Sequence, residues 1–184
     1  LLTMKSFAEE RRLGTLETLL TAPVSTTEVV LGKFSAAYLF YVLLWGSTLG
    51  FHYLLKVYAR DARFLDPAPL IGGYLFIALS GLLFIALGIL ASALTRNQAV
   101  AGILCFTCLL GLIGGLSYLG ELSALNAEGL MPLKNAVESL RIPAHMEDFT
   151  HGVIDTRQVF FYFTGAILTL LLSILGVEAK ILNS

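Results

Sequence analysis

Four stretches of this chain, 34–55, 67–95, 97–120 and 158–177, contain no Asp, Glu, Lys or Arg. A helix needs about 20 mostly apolar residues to cross the hydrocarbon core of a bilayer. Backbone in lipid must satisfy its own polar groups, which such runs do as helices. Each run is too long and too evenly apolar for a buried helix of a soluble domain. The reading is an all-α polytopic membrane helix bundle with four complete spans, at about 34–55, 69–94, 98–119 and 158–177.

Composition agrees. Of 184 residues, 57% are hydrophobic and 14% charged, against about 25% charged in soluble domains. That excludes disorder. Net charge is −1, with 12 basic and 13 acidic residues, so no nucleic-acid partner is indicated. Pro67 and Pro69 mark the entry of the second span, and tyrosines cluster near span ends, as interfacial rings do. Asp155 and Gln158 have the spacing of a capping box opening the last span.

Four spans put both ends of the chain on one side. Basic residues do not say which. Lys5, Arg11, Arg12, Lys33, Arg96 and Lys180 fall on the terminal side, and Lys56, Arg60, Arg63, Lys134, Arg141 and Arg157 on the other. The acid-rich segment 121–157 hints weakly at an external location. Leu133, Val137 and Leu140 there suggest a short amphipathic helix before Pro143, and a second runs from Ala144 to about Gly152.

Segment 5–33 reads as two helices and a turn. Leu13, Leu16, Leu19 and Leu20 recur at helical spacing beside a charged face of Glu9, Glu10, Arg11, Arg12 and Glu17. Ser25 and Glu28 form a second capping-box pattern. Either an interfacial helix on lipid or a docking helix for a soluble partner fits this pattern; the balanced charge favours docking.

Candidate chemistry is sparse. Cys105 and Cys108 lie in an apolar run, where thiolates are disfavoured. His145, Glu147, Asp148, His151 and Asp155 cluster but match no zinc motif, and read as a solvated helical face. His52 reads as an interfacial histidine. Gly46 with Gly50, and Gly111 with Gly115, have the G-x-x-x-G spacing of helix packing, within or between subunits. No catalytic residue, metal site or cofactor is expected. No charge lies at membrane depth, where ion-coupled carriers usually need one, and no P-loop is present. The span faces offer Ser47, Thr48, Ser80, Ser92, Thr107 and Thr164, which suit an amphipathic or lipid-like cargo as well as a peptide.

The stretch Phe7-Ala-Glu-Glu-Arg-Arg-Leu-Gly-Thr-Leu-Glu-Thr-Leu-Leu-Thr-Ala-Pro-Val-Ser25, followed by Glu28-Val-Val-Leu-Gly-Lys33, resembles the cytoplasmic segment of type-2 ABC transporter (ABC-2) permeases. The subgroup includes gliding-motility-associated and nitrous-oxide-reductase-maturation permeases. His145-Met-Glu-Asp-Phe-Thr-His-Gly-Val-Ile-Asp155, with the last span closing in Glu178-Ala-Lys180, resembles their external loop and final helix; this chain has His151 where a basic residue often stands.

The resemblance implies a six-span subunit of which these spans are the third to sixth, Leu1-Leu2 being the remnant of the second. It implies a permease in the bacterial cytoplasmic (inner) membrane, both ends of the chain cytoplasmic and 121–157 external. A second permease subunit, identical or different, and separate ABC ATPase subunits carrying ATP-Mg would complete an exporter. A coupling helix within 5–31 would contact the ATPase through Glu9, Glu10, Arg11, Arg12, Gly14, Thr15, Leu16, Glu17 and Leu20. The rival expectations are an ion-driven carrier, a membrane-embedded enzyme, and an ABC membrane subunit that transmits force without moving cargo.

Overall fold

The computed structural model describes residues 2–13, 25–58, 67–121 and 131–181. They form nine α-helices and one π-helical turn, with no strand among them. The helices are α1 (Ala8–Leu13), α2 (Thr26–Ser47), α3 (Leu49–Tyr58), α4 (Pro67–Leu94), α5 (Gln98–Leu110), α6 (Leu116–Glu121), α7 (Met131–Glu138), α8 (Ile142–Thr150) and α9 (Thr156–Ile181). The π turn is Gly111–Gly115, between α5 and α6. Four helical stretches, Thr26–Tyr58, Pro67–Leu94, Gln98–Leu119 and Thr156–Lys180, are long and apolar enough to cross a membrane.

Helix α4 is the axis of the bundle. It packs against α9, α5, α2, α8 and α1. In its most apolar window 61% of residues are buried, against 11% in each of the stretches built from α2–α3 and α5–α6. Those two therefore present most of their apolar surface outward, to lipid or to another subunit. At 28 residues α4 is about 42 Å long, more than the hydrocarbon core. Both its ends reach the interfaces, where other segments grip it.

The glycines that allow close packing are not those of the G-x-x-x-G spacings. Among the described residues, a Cβ at Gly46, Gly50, Gly111 or Gly115 would meet nothing within 4 Å, so none of them seats a described neighbouring helix. The contacts fall instead at Gly72 on the Phe149 backbone, Gly81 on Tyr41, Gly88 on Thr3, Gly102 on Met4 and Gly165 on Leu83.

Two spans depart from a uniform helix. The first, read as continuous over 34–55, is interrupted at Thr48. The Ser47 hydroxyl donates to Leu44 O at 2.6 Å, the Thr48 hydroxyl to Trp45 O, and Thr48 N–H also reaches Trp45 O. Hydroxyls that back-bond onto the preceding turn bend helices in this way. The third span widens into the π turn at Gly111-Leu-Ile-Gly-Gly115, where glycine tolerates the altered geometry.

Caps are partly as read. The Ser25–Glu28 box is complete: Glu28 N–H donates to Ser25 Oγ at 3.3 Å and Ser25 N–H to Glu28 Oε2 at 2.8 Å. The Asp155–Gln158 box is not. Asp155 Oδ1 accepts from Arg157 N–H at 2.8 Å, but Gln158 Nε2 donates to Asp148 Oδ2 at 2.6 Å instead. Asp148 sits on α8, close enough to outcompete the backbone for that amide. Helix α8 begins at Ile142, earlier than Ala144, because Pro143 fits its first turn rather than stopping it.

Candidate functional site

The polar N-terminal segment is held by the spans through a few buried contacts. Residues 2–7 form turns, closed by Ser6 N–H donating to Thr3 O at 3.1 Å, and lead into α1. Phe7 and Ala8 are fully buried. The Phe7 ring enters a core made by Val30 of α2, Ile85, Ala86, Ile89 and Ala93 of α4, and Ala166, Leu170 and Val177 of α9. A charged helix is thus anchored by an aromatic wedge lying just before it.

The first amides of a helix have no partner within it. Here one side chain of α4 supplies it. Phe7 N–H and Ala8 N–H donate to Ser92 Oγ at 2.9 and 3.1 Å, and the Ser92 hydroxyl donates to Met4 O at 3.3 Å. One hydroxyl offers one donor and two acceptor positions, so Ser92 is saturated. It is also fully buried. Gly88, one turn earlier on the same helix, lets Thr3 lie against the backbone, and Gly102 on α5 does the same for Met4.

Lys33 closes the joint from α2. Its Nζ lies 2.5 Å from Glu10 Oε1, 4.6 Å from the centre of the Phe7 ring, and donates to Ser6 O. Three kinds of contact converge on one ammonium, and charge-assisted bonds are the strong ones. At the opposite terminus Lys180 donates to Ala93 O at 3.2 Å and to Leu94 O, satisfying the last carbonyls of α4. The end of α4 is therefore fixed to α1, α2 and α9 together.

The expected contact residues divide as follows. Glu10 faces Lys33, within the chain. Glu9 lies 3.9 Å from Lys5, an exposed i,i+4 pair of small energetic weight. Arg11 and Arg12 lie in α1. Gly14, Thr15, Leu16, Glu17 and Leu20 lie outside the described residues. Sequence reasoning missed Phe7, Lys33 and Ser92. A lone lysine at the foot of an apolar span, and a serine near the end of another, were the available signals.

At the other end of the bundle His145 is buried, not on a solvated face as the sequence suggested. Its Nε2–H donates to Ser139 O at 3.0 Å, which leaves Nδ1 to accept from the Tyr162 hydroxyl at 3.1 Å. The α8 helix turns this residue toward α9 because Ile142 and Phe149 share its inner face. Glu147 and His151 are exposed. Among the described residues no three His, Cys, Asp or Glu side chains come together as a metal site. His52 is half-buried, with Nδ1 3.3 Å from the Tyr74 hydroxyl, which also lies 2.6 Å from Thr48 Oγ1. Of the polar residues expected on span faces, Ser80 and Ser92 are buried within the bundle.

No curated protein and no solved structure matches the chain. A family model described as ABC-2 family transporter protein matches residues 1–179. With four helices able to span a membrane and a family match over almost its whole length, the chain is an integral membrane protein that belongs to the ABC-2 transporter family.

Proposed function

We propose that this chain is a permease subunit through which a separate ABC ATPase drives export across the bacterial inner membrane. The observation that carries the reading is the Ser92 joint. A charged helix leaves the membrane-spanning bundle, yet its first turn is pinned to the central helix by two amides on one buried hydroxyl. A flexible tether would absorb displacement at the ATPase. A clamped one delivers it to α4, which touches most of the bundle.

In this mechanism the ATPase seats segment 8–20, using Glu9, Arg11, Arg12 and Glu17 for charge contacts. Glu10 serves instead as the internal strut to Lys33. ATP-driven closure of two ATPase subunits displaces α1, and α4 carries the motion to α9 and α8 at the far side of the membrane. The outward apolar faces of α2 and α5 leave room for a second permease copy. Both ends of the chain are cytoplasmic and 121–157 is external. The chain itself hydrolyses nothing.

Co-purification with the ATPase tests this. Wild type should retain the ATPase in detergent, and a variant with Glu9, Arg11, Arg12 and Glu17 reversed in charge should lose it. Equal retention by both, or by neither, would overturn the reading.

A further inference from the structure

A cleft of about 440 Å3 separates α2 and the start of α3 from the first turns of α4. Trp45, Gly46 and Leu49 form one wall, and Ile71, Tyr74 and Ala78 the other. We infer that this cleft seats one hydrocarbon chain of a membrane phospholipid whose phosphate lies at Lys56. The inference does not depend on ATPase coupling.

Depth and dryness are the first ground. The α4 wall runs from Leu70 to Ala78, about 12 Å of helix. One leaflet supplies about 15 Å of hydrocarbon, so the cleft fits within it. This leaflet is the one remote from the Ser92 joint, because Ser92 lies in the last turn of α4 and Pro67 opens the first. The walls are almost wholly apolar. Both tyrosine hydroxyls of the lining are engaged elsewhere. Tyr41 donates to Ile77 O at 3.2 Å, and the Tyr74 hydroxyl lies 2.6 Å from Thr48 Oγ1 and 3.3 Å from His52 Nδ1. Water needs two to four polar partners and finds none to spare here. Among the described residues nothing stands within 4 Å of a Cβ at Gly46, so the cleft is open to a chain.

Charge is the second and independent ground. Lys56 is the one acidic or basic residue between positions 34 and 58. His52 fixes its direction. That ring packs edge-on to Tyr74 at 5.6 Å between centroids, so this side of α3 faces α4. Lys56 stands four residues later, on the same side and one turn further out, with its side chain exposed. It forms no ion pair with another described residue. A lysine stem runs along apolar surface while its ammonium reaches outward, and an ammonium meets phosphate with charge-assisted hydrogen bonds.

The order of these features selects the occupant. From the bilayer centre outward come an apolar cleft, the cluster of Thr48, Tyr74 and His52, and then a cation. A phospholipid presents hydrocarbon, ester oxygens and phosphate in that same order. Diacylglycerol has the chains without the anion. A second copy of this chain has spans without Asp or Glu, so their faces carry no anion to meet Lys56.

The test uses the full subunit, purified in mild detergent and mixed with phosphatidylglycerol or with diacylglycerol of the same chains. Native mass spectrometry reads the lipid retained. One phosphatidylglycerol per chain should stay bound, at least about tenfold more tightly than diacylglycerol, as one charge-assisted contact provides. Lys56→Gln should remove that preference and Lys56→Arg should keep it, both with the melting temperature of wild type because the side chain is exposed. Gly46→Leu fills the cleft and should weaken both lipids at least about tenfold. Equal retention of the two lipids by wild type, no lipid retained, or indifference to Lys56→Gln or to Gly46→Leu would overturn the proposal. Loss of dimer in Gly46→Leu with lipid retention unchanged would overturn it too, by placing a second copy in the cleft.

Discussion

Ser92 Oγ lies 2.9 Å from Phe7 N, a contact between residues 85 apart in sequence, at a position with no exposure to solvent. The serine belongs to the central spanning helix and the phenylalanine to the segment before the charged α1. Displacing α1 without disturbing α4 would break this bond and the one from Ala8. Attachment of the N-terminal segment is thus a property of a few identifiable atoms.

Replacing Ser92 with Ala leaves two buried amides without an acceptor. Each unmet group costs about 1–3 kcal/mol. Amide exchange at Phe7 and Ala8 should accelerate by at least about tenfold in Ser92→Ala. Ser80→Ala is the control. Ser80 is also buried on the same helix but bonds Ile77 O of its own turn and neighbours Tyr41 rather than the N-terminal segment, so exchange at Phe7 and Ala8 should not change. Equal acceleration in both variants would show a general loosening of α4 rather than loss of the joint.

Lys33→Met removes the Glu10 pair, the bond to Ser6 O and the contact with Phe7 at once. The pair is partly exposed, so the loss should be about 1–2 kcal/mol. Glu10→Gln should cost less on its own. The double variant should fall short of the sum by at least about 0.5 kcal/mol, as expected for residues in one contact. Additive melting shifts would show that the two side chains do not interact in solution.

Glycine substitutions should separate two kinds of site. A Cβ at Gly72 would lie 1.8 Å from Phe149 O, a backbone atom that cannot swing aside. Gly72→Ala should therefore push α8 off α4 and cost more than about 3 kcal/mol. Ala at Gly46, Gly50, Gly111 or Gly115 meets nothing among the described residues and should leave the melting temperature of the monomer unchanged or raised. Loss of dimer with an intact monomer, read by crosslinking, would place those glycines between subunits. A destabilised monomer would contradict the open space around them.

Tyr162→Phe deletes the hydroxyl that donates to His145 Nδ1, leaving that buried nitrogen unpaired. The cost should be about 1 kcal/mol, measured as a melting shift. His145→Phe together with Tyr162→Phe should recover part of it, since an apolar pair needs no partner. No recovery would mean that the Ser139 carbonyl, also left without His145, dominates.

The spanning helices were legible because charge-free runs and hydropathy are local properties, and so was the box at Ser25 and Glu28. Thr48 escaped notice because hydroxyl back-bonding competes with the helix only once the backbone is in place. The packing glycines escaped because Gly72, Gly81 and Gly88 act against residues far away in sequence, whereas G-x-x-x-G spacing tests only a helix against itself. His145 looked solvated because its neighbours Glu147 and His151 are. Only the rotation of α8, set by Ile142 and Phe149, turns it inward. Ser92 is one hydroxyl among aliphatics, and nothing adjacent to it reveals that its partners lie near the start of the chain.

The most direct test of the central claim is a distance measured across the transporter while the ATPase works. The full subunit, with Cys105 and Cys108 replaced by Ser and Tyr58→Cys as the spin-label site at the far end of α3, would be reconstituted with its ATPase. Tyr58 is 79% exposed, so the label should not perturb packing. The label-to-label distance between two permease copies is expected to shift when ATP is trapped on the wild-type complex. In Ser92→Ala/Lys33→Met the ATPase should remain bound and hydrolyse ATP while the shift is lost. A shift of the same size in that variant would contradict coupling through the Ser92 joint.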